Sequence, residues 1–414
     1  MARVFKRLLG VDYAVIESVD LVEERGEEMI IAAVRPVRCR RSRCSRCERR
    51  CAGYDGGDGR RRWRTLDLGT VKAYVEADAP RVRCPQHGVV VAAVPWARPG
   101  ARSTYVFEDT CTWLAAHAAF TVIAALLRVS WRTVAAIVTR VVADLAGKTD
   151  QLAGLRRIGI DEIAHRRGHR YLTVVVDHDT GRLVWAGSGR DSATVRKFFD
   201  ALGAEGSALL THVSADGAEW IHIAVRERAP QAVLGLDPFH IVAWATKALD
   251  EVRRGLWNEL RGSGRKDQAA TLKGSRWALV KNPEDLNIDQ RTTLAGIAKD
   301  NKALYRAYLL KEQLRMVFAA KGEEGKQLLA GWLAWAKRSR LPGFVKLART
   351  IEKYRPLIWN TLDHAMSNAR VEATNTHLRV LTRRAYGFHS PEAMIAMAML
   401  TRGGLCPELP GRAA

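Results

Sequence analysis

No apolar run in this sequence is long enough to span a bilayer: the longest, from Trp113 to Leu127, is broken by His117 and Thr121 and falls short of the roughly 20 residues a transmembrane helix needs. The N-terminal segment MARVFKRLLGVDYAVIESVD has basic residues but neither a long apolar core nor a small-residue cleavage site, so no secretory leader is expected. Acidic residues are scarce relative to basic ones, 44 against 66, which gives a formal net charge of +22 and points to a polyanionic partner. Cysteine is both scarce and odd in number. Of the seven, five lie between Cys39 and Cys84, which argues against a disulfide framework and for metal binding in a reducing compartment, the cytoplasm. What remains is ordinary: 414 residues, 47% apolar and 27% charged, suit a globular protein of roughly two to four domains that buries real cores.

Residues 11–34 alternate apolar and polar, predicting two strands joined by a turn at Arg25 and Gly26. An arginine-rich stretch follows, RPVRCRRSRCSRCERRC and then RRRWR, with another strand pattern at Thr70–Ala77. Cys44 and Cys47 form a C-x-x-C pair, and Cys84 and His87 a C-x-x-H pair. Two such knuckles separated by strand-forming sequence are what a structural Zn²⁺ site requires, because each presents two ligands from one tight turn. Scattered free thiols are the alternative, and Cys39 and Cys51 leave the ligand set open, since either could replace a partner. Such a zinc ribbon has a folding role, with flanking arginines free to contact phosphate.

After a predicted helix at Thr104–His117, residues 119–142 read as two short helices joined by a tight turn, with Ser130 placed to cap the second. Read as a helix-turn-helix, the pair points Trp131, Arg132, Thr133 and Arg140 outward, toward a major groove. Read as a plain helical hairpin, its apolar stripe is only core. Beside a zinc ribbon in a basic chain, DNA binding is the preferred reading. Arg128 occupies the turn, where a glycine is usual.

A polar stretch at 146–157 reads as a linker. The order beyond it is βββαβαβ, with strands near Arg157–Asp161, Arg170–Asp177, Leu183–Gly187, Ala208–Ala215 and Ala232–Leu236, and helices at Ser192–Leu202 and Trp220–Glu227. That order matches an RNase H-like core, in which the first and fourth strands lie side by side. From about Ile241 to Asn368 helical patterns dominate, predicting an all-helical insertion. Lys273, Arg276, Trp277 and Lys281 there could cradle DNA, but solvent-facing charge and a buried Trp explain them equally well.

Three acids stand in settings that could converge: Asp161 in IGIDE, Asp216 in VSADGA and Glu372 in ARVEATN. Alternation puts Asp161 and Glu162 on opposite strand faces, so only one joins a given site, and Asp161 is the choice. If Ala369–Arg384 is one helix, Val371, Leu378, Leu381 and Ala385 form a buried stripe, with Glu372, Thr376, Arg379 and Arg383 on a neighbouring face. Three convergent carboxylates can hold two Mg²⁺ ions, Mn²⁺ being the admissible substitute, for in-line displacement at phosphorus. Asp177, Asp179 and Asp191 read as turn acids at the surface.

The segments IGIDEIAHRRGHRYLTVVVDHDTGRLV, LDPFHIVAWATKALDEVRR, RWALVKN and SNARVEATNTHLRVLTRRAYGF resemble the DDE transposases of the ISL-three insertion-sequence family, and the similarity covers nearly the whole chain. The resemblance implies Asp161, Asp216 and Glu372 as the catalytic triad and a helical insertion before the Glu. In related superfamilies a D-x-x-H or C-x-x-H motif follows the fifth strand, and Asp237 and His240 match it; an ordered strand-to-helix turn is the competing reading. Where C-x-x-C is common as the second zinc knuckle, this chain has Cys84 and His87. The expected architecture is α+β and multidomain. It comprises a β unit with zinc ribbon (1–100), a helix-turn-helix (101–150), an RNase H-like core (151–240), a helical insertion (241–368) and C-terminal helices completing the core (369–414). The expected function is transposition at the nucleoid: binding terminal inverted repeats and cutting and joining target DNA as a dimer or larger assembly. A non-mobile nuclease or resolvase, and a catalytically silent DNA-binding regulator, are the alternatives.

Overall fold

The computed structural model describes residues 2–166, 170–385 and 387–412; Arg167, Gly168, His169 and Tyr386, inside the segments that carry the resemblance, lie outside the described residues. A short helix, α1 (Ala2–Leu8), precedes the expected hairpin of β1 (Ala14–Glu24) and β2 (Glu27–Pro36). Its two-residue turn needs φ > 0 at both positions, and Arg25 (57°) and Gly26 (78°) supply it. Next come β3 (Ala52–Asp55), β4 (Arg60–Arg64), β5 (Lys72–Asp78), β6 (Arg81–Cys84) and β7 (Gly88–Val91). They divide between a four-stranded sheet, β1-β2-β5-β4, and a three-stranded one, β3-β6-β7. Trp63 and Trp96, edge to face at 5.7 Å, are buried in the core of the larger sheet with Leu9, Val11, Val34 and Val75.

Three helices follow: α2 (Tyr105–His117), α3 (Phe120–Leu127) and α4 (Trp131–Ala146). Thr104 caps α2 and Ser130 caps α4, each hydroxyl accepting a backbone N–H three residues on. Arg128 ends α3 in the left-handed region at φ 52°, which is the conformation a glycine would normally supply. Val134, Ile137, Val138, Val141 and Val142 bury the inner face of α4. No single helix among the described residues is long and apolar enough to cross a membrane.

The second unit, Gln151–Leu381, opens with the antiparallel meander β8 (Arg157–Arg166), β9 (Arg170–Asp177) and β10 (Leu183–Ser188). Then come α5 (Ser192–Leu209), β11 (His212–Ala215), α6 (Glu219–Arg228) and β12 (Val233–Leu236). The sheet order is β10-β9-β8-β11-β12, with β11 parallel to both β8 and β12, so the first and fourth strands are neighbours as an RNase H-like core requires. The expected strand from Ala208 begins only at His212, because α5, broken at Gly203 (φ 74°), runs on to Leu209. Phe198, Phe199, Ile158, Val213 and Ile221 fill the space between the sheet and its helices.

The insertion is all-helical: α7 (Pro238–Gly262), α8 (Lys266–Gly274), α9 (Arg276–Val280), α10 (Ile288–Asp300), α11 (Lys302–Ala320), α12 (Gly322–Arg338), α13 (Pro342–Lys353) and α14 (Arg355–Asp363). Its core holds Leu249, Leu314, Trp332 and Phe344, with the Trp332 indole donating to the Leu310 carbonyl at 2.8 Å. Two helices end the chain, α15 (Ala369–Arg384) and α16 (Pro391–Arg402). Residues from Thr382 on belong to the same compact unit as those up to Asp150, and α16 packs against α4 and α2 there. The division between the compact units thus falls within α15, at Thr382, and the buried Met394, Met397 and Ala398 of α16 pack within the first unit. Ala385, expected in a buried stripe, is exposed beyond the helix end; Val371, Leu378 and Leu381 are buried as expected.

Candidate active site and metal centres

Strand register explains why distant acids meet. Ala215 of β11 pairs with Ile160 on one side and with Leu236 on the other, and the next residue in each case is an aspartate. Asp161, midway along β8, and Asp216 and Asp237, just past the ends of β11 and β12, therefore stand at one level on three adjacent parallel strands. Asp237 accepts from the Phe239 N–H at 3.2 Å and starts α7, with Pro238 in the first turn. One helical turn on, His240 Nε2 lies 4.0 Å from Asp161 Oδ1 and 3.7 Å from Asp237 Oδ2. Ligand atoms of Asp161, Asp216 and His240 all lie within 4.8 Å of one another.

Glu372 reaches the patch from α15, half-buried and close enough for its charge to act on Asp237. It is not the third member of the tight cluster; His240 is. The helix carrying it is fixed to the sheet by several contacts. Asn375, one turn beyond Glu372, donates from Nδ2 to Asp161 Oδ2 at 2.7 Å, and Arg370 Nη1 donates to the Asp179 carbonyl at 2.7 Å. Ser214, two residues before Asp216, hydrogen-bonds Asn368 at the helix start and lies 2.6 Å from His178 Nε2. Gly159, two residues before Asp161, makes room: a Cβ there would sit 2.4 Å from Val371 Cγ2 and 2.8 Å from both Asn368 Oδ1 and His178 Nε2. Asn375 and Ser214 were not singled out from sequence; an Asn three residues after a candidate Glu on one helix face was the available signal.

The electrostatics are those of crowded acids. Burial raises the Asp161 carboxyl, against the Glu162 N–H and the His240 and Arg379 charges, and Asp216 adds to the rise. Asp237 is pushed up to about 6 by burial, with Asp161 and Glu372 contributing and His240 opposing. Glu162, on the opposite face as alternation requires, pairs with Arg190 and is pushed up to about 7 by burial and by Asp216. Oxygen donors so packed, with little countercharge, are the donor set a hard divalent cation neutralises, and the residues present fit one. Of the turn acids, Asp179 pairs with Arg157 and Asp191 caps α5, but Asp177 is buried and accepts from the Asp179 and Thr180 N–H groups within the 178–181 turn.

At the ribbon, Cys44, Cys47, Cys84 and His87 present ligand atoms within 4.8 Å of one another. Cys47 and Cys84 Sγ are 3.8 Å apart, and His87 Nδ1 is 3.5 Å from Cys44 Sγ and 3.6 Å from Cys84 Sγ. A tetrahedral ion with Zn–S bonds of about 2.3 Å sets sulfurs about 3.8 Å apart, so the cluster fits zinc. Burial raises the Cys84 thiol, but the Gln86 and His87 N–H groups and the His87 ring outweigh it and bring it down to about 6. Cys39 is exposed, and Cys51 Sγ donates to the Arg49 carbonyl at 3.3 Å; neither belongs to the four-ligand cluster.

In the helix pair, Trp131 and Arg132 are exposed at the start of α4, with Trp131 stacked 5.0 Å from His389 and the Arg132 guanidinium 5.5 Å over its ring. The Thr133 hydroxyl lies 2.9 Å from Ser130 Oγ. Arg140 departs from expectation: its Nε donates at 3.0 Å to the fully buried Glu108 of α2, which also faces Arg98, so it ties the helices together instead of pointing free. On α15, Arg379 and Arg383 are exposed.

Profiles of known families match the chain in three stretches. The transposase profile of the ISL3 family matches residues 158–398, its helix-turn-helix profile residues 92–142, and a zinc-finger profile of the transposases of IS204, IS1001, IS1096 and IS1165 residues 40–87. The chain is 54% identical to the transposase for insertion sequence element IS1557 of Mycobacterium tuberculosis, over 99% of this chain and 97% of that protein. It is 27% identical to the transposase for insertion sequence element IS1001 of Bordetella parapertussis, over 80% of this chain and 82% of that one. The chain belongs to the ISL3 family of insertion-sequence transposases, with a zinc ribbon, a helix-turn-helix and an RNase H-like catalytic core that the family equips with a divalent metal.

Proposed function

We propose that this protein binds the terminal inverted repeats of its own insertion sequence and carries out Mg²⁺-dependent strand cleavage and strand transfer. The observation that carries this reading is the register that sets Asp161, midway along β8, level with Asp216 and Asp237 just past the ends of the parallel strands β11 and β12, with His240 among them and Glu372 brought alongside by α15. Asp161, Asp216 and Glu372 would hold the ions, two Mg²⁺ with Mn²⁺ as substitute, Asp161 being shared. Such a pair, when bound, activates the attacking oxygen and stabilises the leaving one.

The chain's own part is positioning. Asn375 and the Glu162 N–H each bond one oxygen of Asp161, fixing the carboxylate plane. Arg379 and Arg383 are exposed to hold backbone phosphates. Water hydrolyses the phosphodiester at the element end to leave a 3′ hydroxyl, which then attacks target DNA in the same pocket; no protein nucleophile takes part. Recognition belongs to the first unit, where Trp131, Arg132 and Thr133 are placed for a groove and the zinc at Cys44, Cys47, Cys84 and His87 keeps the arginine-rich ribbon folded. Arg140 serves the same recognition by fixing α4 on α2. Two ends must be joined, so the working form is at least a dimer on DNA at the nucleoid. Incubating the protein with a labelled element end and Mg²⁺, beside Asp161→Ala, tests the assignment: cleavage by the wild type alone is expected, and equal cleavage by both removes it.

A further inference from the structure

The insertion exposes Trp277 where the sequence allowed it to be buried. Trp277 is 57% exposed, whereas Trp332 of the same helical unit is fully enclosed. The helix breaks at Ser275, whose N–H closes α8 on the Thr271 carbonyl while its own carbonyl accepts from Ala278 and Leu279 to open α9. Lys273 at the end of α8, Arg276 and Trp277 at the start of α9, and Lys281 just past its end are all exposed. Arg276 lies 5.3 Å over the Trp277 ring. From Gln268 to Pro283 the chain carries Lys273, Arg276 and Lys281 and no acid. The opposite side is packed: Ala269, Leu272, Ala278 and Leu279 are buried, and the buried Lys311 ammonium donates to the Leu279 and Lys281 carbonyls at 3.0 and 3.2 Å. The corner is thus held from beneath while it presents an aromatic ring and cations outward.

We infer that this α8–α9 corner is a second DNA contact, in which Trp277 stacks on an unpaired base and Lys273, Arg276 and Lys281 hold the adjoining phosphates. The cations select a polyanion, and an exposed indole among them suits a π-face that duplex DNA conceals and single-stranded DNA offers. Placement allows it to serve the same DNA as the carboxylates. Arg253 Nη1 contacts the Leu272 carbonyl, and Arg253 lies sixteen residues along α7 from Asp237. That is roughly 24 Å of helix, or about seven nucleotides of stacked strand. The inference rests on the transposase reading only for the identity of the polyanion.

The test uses the full-length chain without added Mg²⁺, a labelled 20-nucleotide oligo-dT and an unrelated 20-base-pair duplex. Trp277→Ala is expected to weaken oligo-dT binding at least about fivefold, the lower end of what stacking on one aromatic contributes. Duplex binding stays unchanged, and Trp277→Phe restores the oligo-dT affinity. Lys273→Ala with Lys281→Ala is expected to flatten the salt dependence of oligo-dT binding by about 1.4 in slope. Equal oligo-dT binding by wild type and Trp277→Ala overturns the inference. So does a loss of self-association in light scattering with oligo-dT binding intact, which assigns the corner to a second copy of the chain. Cleavage of a labelled element end with Mg²⁺ is read separately: its failure beside a positive oligo-dT result removes the catalytic reading and leaves this one standing.

Discussion

At the zinc ribbon the four ligands come from two turns, with Cys44 and His87 only 43 residues apart, and their mutual distances already suit the ion. At the catalytic core Asp161 is tied to Asn375 across 214 residues, and the carboxylates are held close while repelling one another. The first cluster is made by local chain geometry and suits a single ion that takes sulfur and nitrogen ligands. The second is made by strand register and helix docking, and it stores the repulsion that a divalent cation relieves. On the function proposed above, metal at the ribbon would be a condition of folding and metal at the core a condition of chemistry.

That contrast can be broken in several ways. The largest effect belongs to the ribbon: stripping zinc, or Cys84→Ser, removes a binding free energy on the order of 10 kcal/mol. The ribbon is expected to unfold, read by metal content and circular dichroism, with loss of end binding. A ribbon that keeps its fold without metal would erase the distinction. At the core, Asp161→Asn is expected to lower cleavage by about a thousandfold or more, equivalent to several kcal/mol of lost transition-state stabilisation, with thermal stability kept or raised. A marked fall in melting temperature would mean the carboxylate is structural.

The docking of α15 gives the third test. His178, half-buried beside Ser214 and near Arg370, is held down to about 4 by burial and by that positive charge. With a folded value below the ordinary 6.5, the unfolded chain binds more protons between those limits, so stability is full above about pH 6.5 and falls as pH drops toward 4. The loss is on the order of 3 kcal/mol. Urea titrations of His178→Asn, expected to flatten that slope, check it. The smallest effect is Gly159→Ala, where the added methyl meets Val371 and Asn368. A cost of about 1–3 kcal/mol in the second unit is expected, with cleavage reduced and ribbon zinc content unchanged. Unaltered cleavage would show that Glu372 does not depend on this register.

Much of this was legible in sequence where the signal is local. The Arg25–Gly26 turn, the Ser130 cap, the two zinc knuckles and the order of core elements depend on spacing within a few residues, and the structure has them. What was not legible depends on partners far along the chain. Arg140 on α4 looks free until Glu108 of α2 is placed against it. That α16 packs on α4 and α2 follows from contacts made about 250 residues back along the chain. Asn375 reads as an ordinary polar helix residue until Asp161 arrives beneath it. Trp277 could be assigned neither inside nor outside, because a single aromatic in a short helix carries no period of its own.

The matched register of β8, β11 and β12 makes the reactive edge vulnerable to changes that touch no acid at all. Adding or deleting one residue within any of these short strands would turn its aspartate toward the other side of the sheet, since neighbouring side chains alternate. Length variation among related elements should therefore collect in the connections and in the insertion, while the residue count inside these three strands stays fixed.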